Sequence, residues 1–386
     1  MCCKCSSFNG IEKYPKLRFQ GFTIPWTEIE IGKAFQVTRG YVLPATVVRQ
    51  DASEEYIYPV YSSQTKDNGL MGYYNDYLYE NAITWTTDGA NAGTVHYRSG
   101  KFYCTNVCGV LLSDEGNANR CVAEILGSVS KKYVSYVGNP KLMNNVMSEI
   151  KIYVPTIAEQ KKIDAFISVI DHRIEKQQEL IEYLKKYKRG LNIRLLSGIS
   201  MSYSKRLGDV CSIIGGGTPD TTTAKFWDGG INWFTPSEIG KTKYVVSSLR
   251  SISYDGMLKS SAKLLPQNTV LLTTRATLGE MSILQSEATT NQGFQSLIPS
   301  EEILAEYVYY LQVIIKPWCE KYASGNTFRE ISKSALSNCL IPVPDISTQN
   351  KLVRVLSGID QHIEHEKDIL DKLRDQKKAL LQQLFI

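Results

Sequence analysis

Hydrophobic positions recur on alternating steps of four and three along two long stretches of this chain. In the first, Ile163, Ile167, Ile170, Ile174, Ile181, Leu184, Leu191 and Leu195 keep that spacing, and Gln177 and Lys188 occupy the two remaining positions. In the second, Leu352, Leu356, Ile359, Ile363, Leu370, Leu373, Leu380 and Leu384 do the same, with Glu366 and Lys377 at the polar positions. An a/d seam sustained over about four heptads predicts a coiled coil rather than an ordinary surface helix. About 39 helical residues at ~1.5 Å each reach roughly 58 Å. Two such helices in one chain pair most simply with each other. If they run antiparallel, Lys188 is expected opposite Glu366 and Gln177 opposite Lys377.

The two stretches are copies. Val154 and Val343 lie 189 residues apart, and the offset holds without a gap through Pro155/Pro344, Ile157/Ile346, Gln160/Gln349, Lys162/Lys351, Ile170/Ile359, Asp171/Asp360, Ile174/Ile363, Glu175/Glu364, Leu184/Leu373, Lys188/Lys377, Leu191/Leu380 and Leu195/Leu384. Such a period is far longer than the roughly 20–50 residues of a solenoid repeat. It implies a duplicated domain-plus-helix. Each copy opens on a proline, and Asp345 or Ser347 can cap the second helix.

Outside the helices the pattern changes to alternation. Residues 56–113 are rich in Tyr, Val, Thr and Gly, with turn signals every eight to twelve residues, which predicts β structure. The run Ile83-Thr84-Trp85-Thr86-Thr87-Asp88-Gly89 is echoed by Val270-Leu271-Leu272-Thr273-Thr274-Arg275-Ala276, and Thr105-Asn106 by Thr290-Asn291. Helical stretches are expected near 117–131 and 301–323. The heads have diverged far more than the helices, as two modules would that do the same kind of task on different targets. The expected organisation is a first head at 1–155, a spacer helix at 156–198, a second head at 199–343 and a second helix at 344–386. Ser197-Gly198-Ile199-Ser200 forms the join. The fold class is α+β: two pseudo-two-fold-related globular α/β domains separated by two long antiparallel coiled-coil helices.

The 386 residues leave ample chain for a core in each half, and a net charge of +5 permits an anionic partner without demanding one. No run of 18 apolar residues predicts a membrane span, and the N-terminus lacks an apolar signal region, so the cytoplasm is the expected location. Residues 1–15 read as a poorly ordered leader. Cys2-x-x-Cys5 has the spacing of half a zinc site but no second pair follows, and free thiols are the simpler reading. His362-x-x-His365 reads as a solvated helix face.

No catalytic constellation stands out. The chain has no phosphate-binding P-loop, no zinc-protease helix and no nucleophile elbow. Gly215-Gly216-Gly217-Thr218-Pro219 lacks the lysine and following helix of a phosphate cradle, and Pro219 opposes one. What remains is a set of polar and basic residues on expected loops. Head one offers Arg39, Tyr41, Asn91, Arg98 and Asn106, with Arg49, Lys66, Tyr97, Lys131, Lys132 and Asn139 nearby. Head two offers Thr235, Ser237, Arg275, Asn291, Gln292, Thr327 and Arg329, with Lys225, Trp227, Asn232, Lys241 and Lys243. Arg, Asn and Gln are the side chains that pair bidentately with base edges, while Lys, Ser and Thr suit phosphates. By composition alone a solvated surface is the simpler reading.

The order of head, Pro-x-x-x-x-Gln and long helix, given twice, resembles the specificity subunit of Type I restriction-modification systems. In half two, Gly215-Gly216-Gly217-Thr218-Pro219, Phe226-Trp227-Asp228-Gly229-Gly230-Ile231-Asn232-Trp233-Phe234-Thr235-Pro236-Ser237, Thr274-Arg275-Ala276-Thr277-Leu278-Gly279 and Thr290-Asn291-Gln292-Gly293-Phe294 look like motifs of that family's target-recognition domains. Half one keeps Thr105-Asn106 and Val154-Pro155 with Gln160, but departs at Asp88-Gly89-Ala90-Asn91-Ala92-Gly93, where Asp88 or its neighbours replace Arg275. The resemblance implies a DNA-reading adaptor with no chemistry of its own. Each head would read half of a bipartite site in double-stranded DNA, and the helices would set the gap. Two methyltransferase subunits and the restriction/translocase subunits would be its partners. No cofactor is expected in this chain, with S-adenosylmethionine and ATP/Mg bound by those subunits. A coiled-coil scaffold joining two protein-binding heads is the alternative, and an enzyme of unrecognised site a third.

Overall fold

The computed structural model describes residues 15, 17–63, 66–275, 277–325 and 329–385. The leader segment and Cys2, Cys3 and Cys5 fall outside them apart from Pro15, as does Thr327. The chain divides into two compact units, one of residues 1–178 with 368–386, the other of residues 179–367. Each long helix therefore contributes its beginning to one unit and its end to the other.

In the first unit the chain enters the head on β1 (Thr27–Glu30) and leaves on β8 (Lys151–Val154), which pair antiparallel from Thr27↔Val154 to Glu30↔Lys151. Between them lie β2 (Gln36–Arg39), β3 (Tyr58–Tyr61), β4 (Leu70–Tyr74), β5 (Tyr79–Thr86), β6 (Val95–Cys104) and β7 (Cys108–Leu112). They form a six-stranded sheet of order β2-β7-β5-β6-β3-β4. Only the β3–β6 pair is parallel. A helix at Arg120–Ser130, inside the stretch expected at 117–131, starts on Asn119, whose side chain accepts the Val122 N–H at 3.0 Å. Val122, Ile125, Leu126 and Val129 bury one face of it against Ile83, Trp85 and Leu111 of the sheet.

The second unit repeats the plan with shorter strands. Its stem is β9 (Ser204–Arg206) with β18 (Leu340–Pro342). The head holds β10 (Cys211–Gly215), β11 (Trp227–Phe234), β12 (Tyr244–Val245), β13 (Arg250–Ile252), β14 (Val270–Leu272), β15 (Met281–Leu284), β16 (Thr289–Thr290) and β17 (Gln295–Pro299). These form sheets of order β10-β17-β14-β15-β12 and β13-β11-β16. The helix expected at 301–323 is two helices, Ala305–Tyr310 and Gln312–Tyr322, meeting at Leu311.

The long helices run Ile157–Ser197 and Ile346–Phe385. At the start of the second, Asp345 accepts the Thr348 N–H at 3.0 Å and its hydroxyl at 2.8 Å, and these bonds hold its carboxyl below the usual range. Ile163, Ile167, Ile181, Leu184, Leu352, Leu356, Ile363, Leu370, Leu373 and Leu384 are buried. Ile170, Ile174, Leu191, Leu195, Ile359 and Leu380 are half-buried. In the first unit Ile163 and Ile167 share a core with Leu381, Leu384 and Phe385. In the second, Leu195 and Leu196 share one with Leu352 and Val353. Within each unit one helix begins where the other ends, so the segments run antiparallel.

The polar register differs from the sequence expectation by about two turns. Lys188 pairs with Asp360, not Glu366, and Lys377 meets Asp171 at 2.8 Å, not Gln177. The heads explain this. The Tyr310 hydroxyl donates to Asp360 at 2.6 Å, and Glu124 of the head helix lies 2.9 Å from Lys377, so each lysine goes where its carboxylate is already held. Glu366 is taken by His362 on its own helix at 3.0 Å. Among the described residues, no helix is long and apolar enough to cross a membrane.

Candidate nucleic-acid interface

The motif Pro-x-x-x-x-Gln acts as a stitch between head and helix. Gln160 and Gln349 are buried at 1% and 0% exposure, and each side-chain amide donates back to the carbonyl of the motif's proline, at 2.9 Å to Pro155 and 2.8 Å to Pro344. Gln160 also donates to Asn117 Oδ1 at 3.2 Å and accepts from Asn119 Nδ2 at 2.7 Å. Gln349 donates to the Glu302 carbonyl at 2.8 Å and accepts the Leu304 N–H at 2.9 Å. A buried amide with its donors and acceptor all engaged fixes one orientation of the helix start on its head. Beside it, Glu159 is buried and receives a two-pronged contact from Arg18, at 2.8 and 2.7 Å.

At the sheet ends in each head, loops converge through backbone hydrogen bonds. In head two, Asn291 N donates to the Phe234 carbonyl at 3.1 Å, Thr274 N to Gly293 at 2.8 Å and Gly217 N to Thr290 at 2.9 Å. Head one has the same pattern: Thr105 N to Tyr61 at 2.9 Å, Thr87 N to Val107 at 3.0 Å and Tyr41 N to Cys104 at 3.2 Å. These bonds make Thr105 the counterpart of Asn291, and Asn106 that of Gln292. The echo of Thr105-Asn106 in Thr290-Asn291 is thus out by one residue. A glycine sits at each crossing because a Cβ on Gly40 would lie 2.2 Å from the Cys104 carbonyl, and one on Gly216 2.0 Å from that of Asn291.

The convergence brings together most of the residues singled out in head two. Ser237 and Gln292 are exposed, and Gln292 shares a hydrogen bond with Thr218. Thr235 caps the short turn Pro236–Glu238, its hydroxyl donating to Glu238 at 2.7 Å. Asn291 holds its own loop, accepting the Gly293 N–H at 2.8 Å. Arg275 is half-buried and paired with Glu330 at 2.9 Å. Arg329 is committed to the end of the preceding helix, donating to the Glu320 carbonyl at 2.6 Å. Lys243 is not a surface reader: it donates to Ser357 of the long helix at 3.0 Å and to the Tyr310 hydroxyl at 3.1 Å, and burial pulls its pKa down.

In head one, Tyr41 and Asn106 are exposed at the loop ends. Arg39 is exposed as well and donates to the Asn106 carbonyl at 2.8 Å. Asn91 is half-buried and ties its loop to the Ser63 carbonyl at 3.3 Å. Arg98 differs from the expectation of a loop contact. It projects from β6 into the domain, 7% exposed, and its guanidinium lies 3.7 Å from the centroid of the Tyr61 ring. Aligned backbone pairing, not residue type, decides which face of the strand it takes.

Among the described residues, no group of three His, Cys, Asp or Glu side chains could hold a metal ion. The thiols of Cys104, Cys108, Cys121, Cys211, Cys319 and Cys339 are buried, and burial raises the pKa of each.

Known proteins share this arrangement. The chain is 35% identical over 176 residues to the Type I restriction enzyme MjaIX specificity subunit of Methanocaldococcus jannaschii, a match covering 44% of this chain and 41% of the relative. It is 31% identical over 166 residues to the EcoR124I/EcoR124II specificity subunit of Escherichia coli, covering 40% of each. The matches thus span about two fifths of the length of these curated relatives. The fold is that of the Type I restriction-modification S subunit from M. genitalium, with a TM-score of 0.53 and 18% identity over 96% of this chain and 99% of that one. A chain from a study of complex assembly and conformational transition in the type I R-M system superimposes with a TM-score of 0.58 and 16% identity, over 94% and 98%. The model of the Type I restriction modification DNA specificity domain matches twice, over residues 23–186 and 202–375. With both heads and most of both long helices inside those matches, the chain belongs to the Type I restriction-modification DNA specificity family.

Proposed function

We propose that this chain is the sequence-reading subunit of a Type I restriction-modification complex, with no catalytic activity of its own. Each head reads one half of a bipartite site in double-stranded DNA, and the paired helices fix the gap between the half-sites. Two methyltransferase subunits carrying S-adenosylmethionine dock on it, and ATP/Mg-dependent restriction subunits join them in the cytoplasm. The observation that carries this reading is the matched loop convergence in the two heads, with exposed amides Asn106 and Gln292 at the same place on each. Amide side chains on a rigid sheet end suit adenine edges, and Arg275 suits guanine. A fixed helical spacer adds selectivity for separation, because half-sites rotate about the DNA axis as they move apart.

The test is to sequence modified adenines in DNA from cells expressing the cognate methyltransferase with and without this chain. Methylation confined to one bipartite motif, and lost without the chain, is the expected result. Methylation independent of the chain, with the methyltransferase active, would overturn the proposal and favour a protein-binding scaffold.

A further inference from the structure

Head one has a partly open cavity of about 140 Å³ whose lining includes Ser62, Thr84, Thr86, Thr94, His96 and Arg98. Among the described residues that line it, Arg98 is the one cation of fixed charge. Its Nε donates to Thr84 Oγ1 at 3.1 Å and its Nη2 to the Asn68 carbonyl at 2.8 Å. Among the described residues its charged neighbours include no carboxylate: burial, Tyr61 and two cysteines are what act on it. A buried guanidinium stays charged, so an unpaired one is costly. Burial, and then Arg98 itself, push His96 down to about 4, so the imidazole is neutral near pH 7 and adds no second charge.

The same place in head two carries no arginine. Backbone pairing aligns the heads here: Ile83 pairs with Tyr97 and Leu111, as Val270 pairs with Ile283 and Leu297. Thr86 meets Cys108 as Thr273 meets Phe294. Thr84, Arg98 and Cys108 therefore correspond to Leu271, Leu284 and Phe294, all fully buried in an apolar cluster with Phe234 and Val245. On the other sheet face, Ile83, Trp85 and Leu111 match Val270, Leu272 and Leu297, apolar in both heads. One face keeps its packing, and the other has a threonine, an arginine and a cysteine for two leucines and a phenylalanine, while the Thr86 hydroxyl keeps its counterpart in Thr273. Stability does not favour that exchange, because a filled apolar core has no buried charge to satisfy.

We propose that this cavity is a binding site for a small oxyanion of phosphate or sulfate type, held by the Arg98 guanidinium and the surrounding hydroxyls. Fork-shaped guanidinium donors and converging O–H groups match tetrahedral oxyanions, and the volume suits an ion of that size. The anion comes either from solution or from a DNA backbone phosphate.

The full chain is unfolded thermally in phosphate, sulfate and chloride at one ionic strength, and phosphate binding is titrated calorimetrically. The expected result is a Tm several degrees higher in millimolar phosphate or sulfate than in chloride, because a ligand bound only by the folded state raises stability. Arg98→Leu, the head-two residue, should abolish that difference with the chloride Tm unchanged or raised. Thr86→Val, which keeps shape, should reduce phosphate affinity at least several-fold should the leucine variant fold poorly. Loss of phosphate binding on adding a short unrelated duplex identifies DNA as the source, whereas retention identifies the free ion. Equal Tm in all three salts, or an undiminished difference in Arg98→Leu, would overturn the proposal. Neither outcome bears on the methylation test above.

Discussion

The Lys377 ammonium lies 2.8 Å from the Asp171 carboxylate, and their counterparts 189 positions away, Lys188 and Asp360, form the same pair in the other unit. Each pair is tied to its own head, one by Glu124 at 2.9 Å from Lys377, the other by the Tyr310 hydroxyl at 2.6 Å from Asp360. The duplication therefore preserved a three-part junction of helix, helix and head. Its third member changed from a carboxylate to a phenol.

Removing the lysine should hurt more than removing one acid. Burial disfavours the charged form of Lys377, but Glu124 and Asp171 outweigh it and raise its pKa. Lys377→Met would leave two half-buried carboxylates facing each other, and a loss of ~1–3 kcal/mol is expected in urea unfolding. Asp171→Asn leaves the lysine with Glu124 and should cost about 1 kcal/mol or less. Equal effects of the two variants would show that the carboxylates do not act through the lysine.

The buried glutamines should be as sensitive. Gln160→Ala removes three hydrogen bonds and orphans the buried Pro155 carbonyl, for a loss of about 1–3 kcal/mol. Gln349→Ala should behave alike in the other unit. Hydrogen exchange resolved by peptide should quicken at the matching helix start, and a uniform change across the chain would argue against a local stitch.

His96 gives the first head an acid limit. Its folded pKa of about 4 lies below the unfolded value near 6.5. Above pH 6.5 neither state binds the proton and stability is unaffected. As pH falls from 6.5 towards 4, only the unfolded state binds it, so stability declines by at most ~3 kcal/mol, and the slope ends below the folded pKa. His96→Gln should flatten that limb of the stability profile, read as urea midpoints across the pH range.

The sequence made the helices legible and the heads only partly so. A seam such as Ile163 to Leu195 is written in local spacing, and its copy fixes where each helix begins. The opposing register was not legible, because Asp360 is chosen by Tyr310, a head residue about 50 positions away. Arg98 was misplaced for a similar reason. Val95-His96-Tyr97-Arg98-Ser99 has no clean alternation, and the face of β6 is set by pairing with Tyr61 and Thr84. The exposed amide of Asn106 was found by residue type, but its match to Gln292 rests on backbone hydrogen bonds.

Arg275 is poised rather than free, and that shapes the last prediction. It is 43% exposed on its side chain and paired with Glu330, whose other oxygen accepts from Thr274 at 3.3 Å. If Arg275 reads a base in head two's half-site, DNA must take it from Glu330. Arg275→Ala should then weaken binding to the cognate half-site by ~1–3 kcal/mol and leave unrelated duplexes almost unaffected. Glu330→Gln, which releases the arginine, should tighten binding to every duplex and steepen the dependence of log affinity on log salt by up to about one. Binding isotherms of the assembled complex over a salt series separate the two roles. Equal loss on all sequences in Arg275→Ala would make this arginine a phosphate contact, leaving head two's specificity to Gln292 and Ser237.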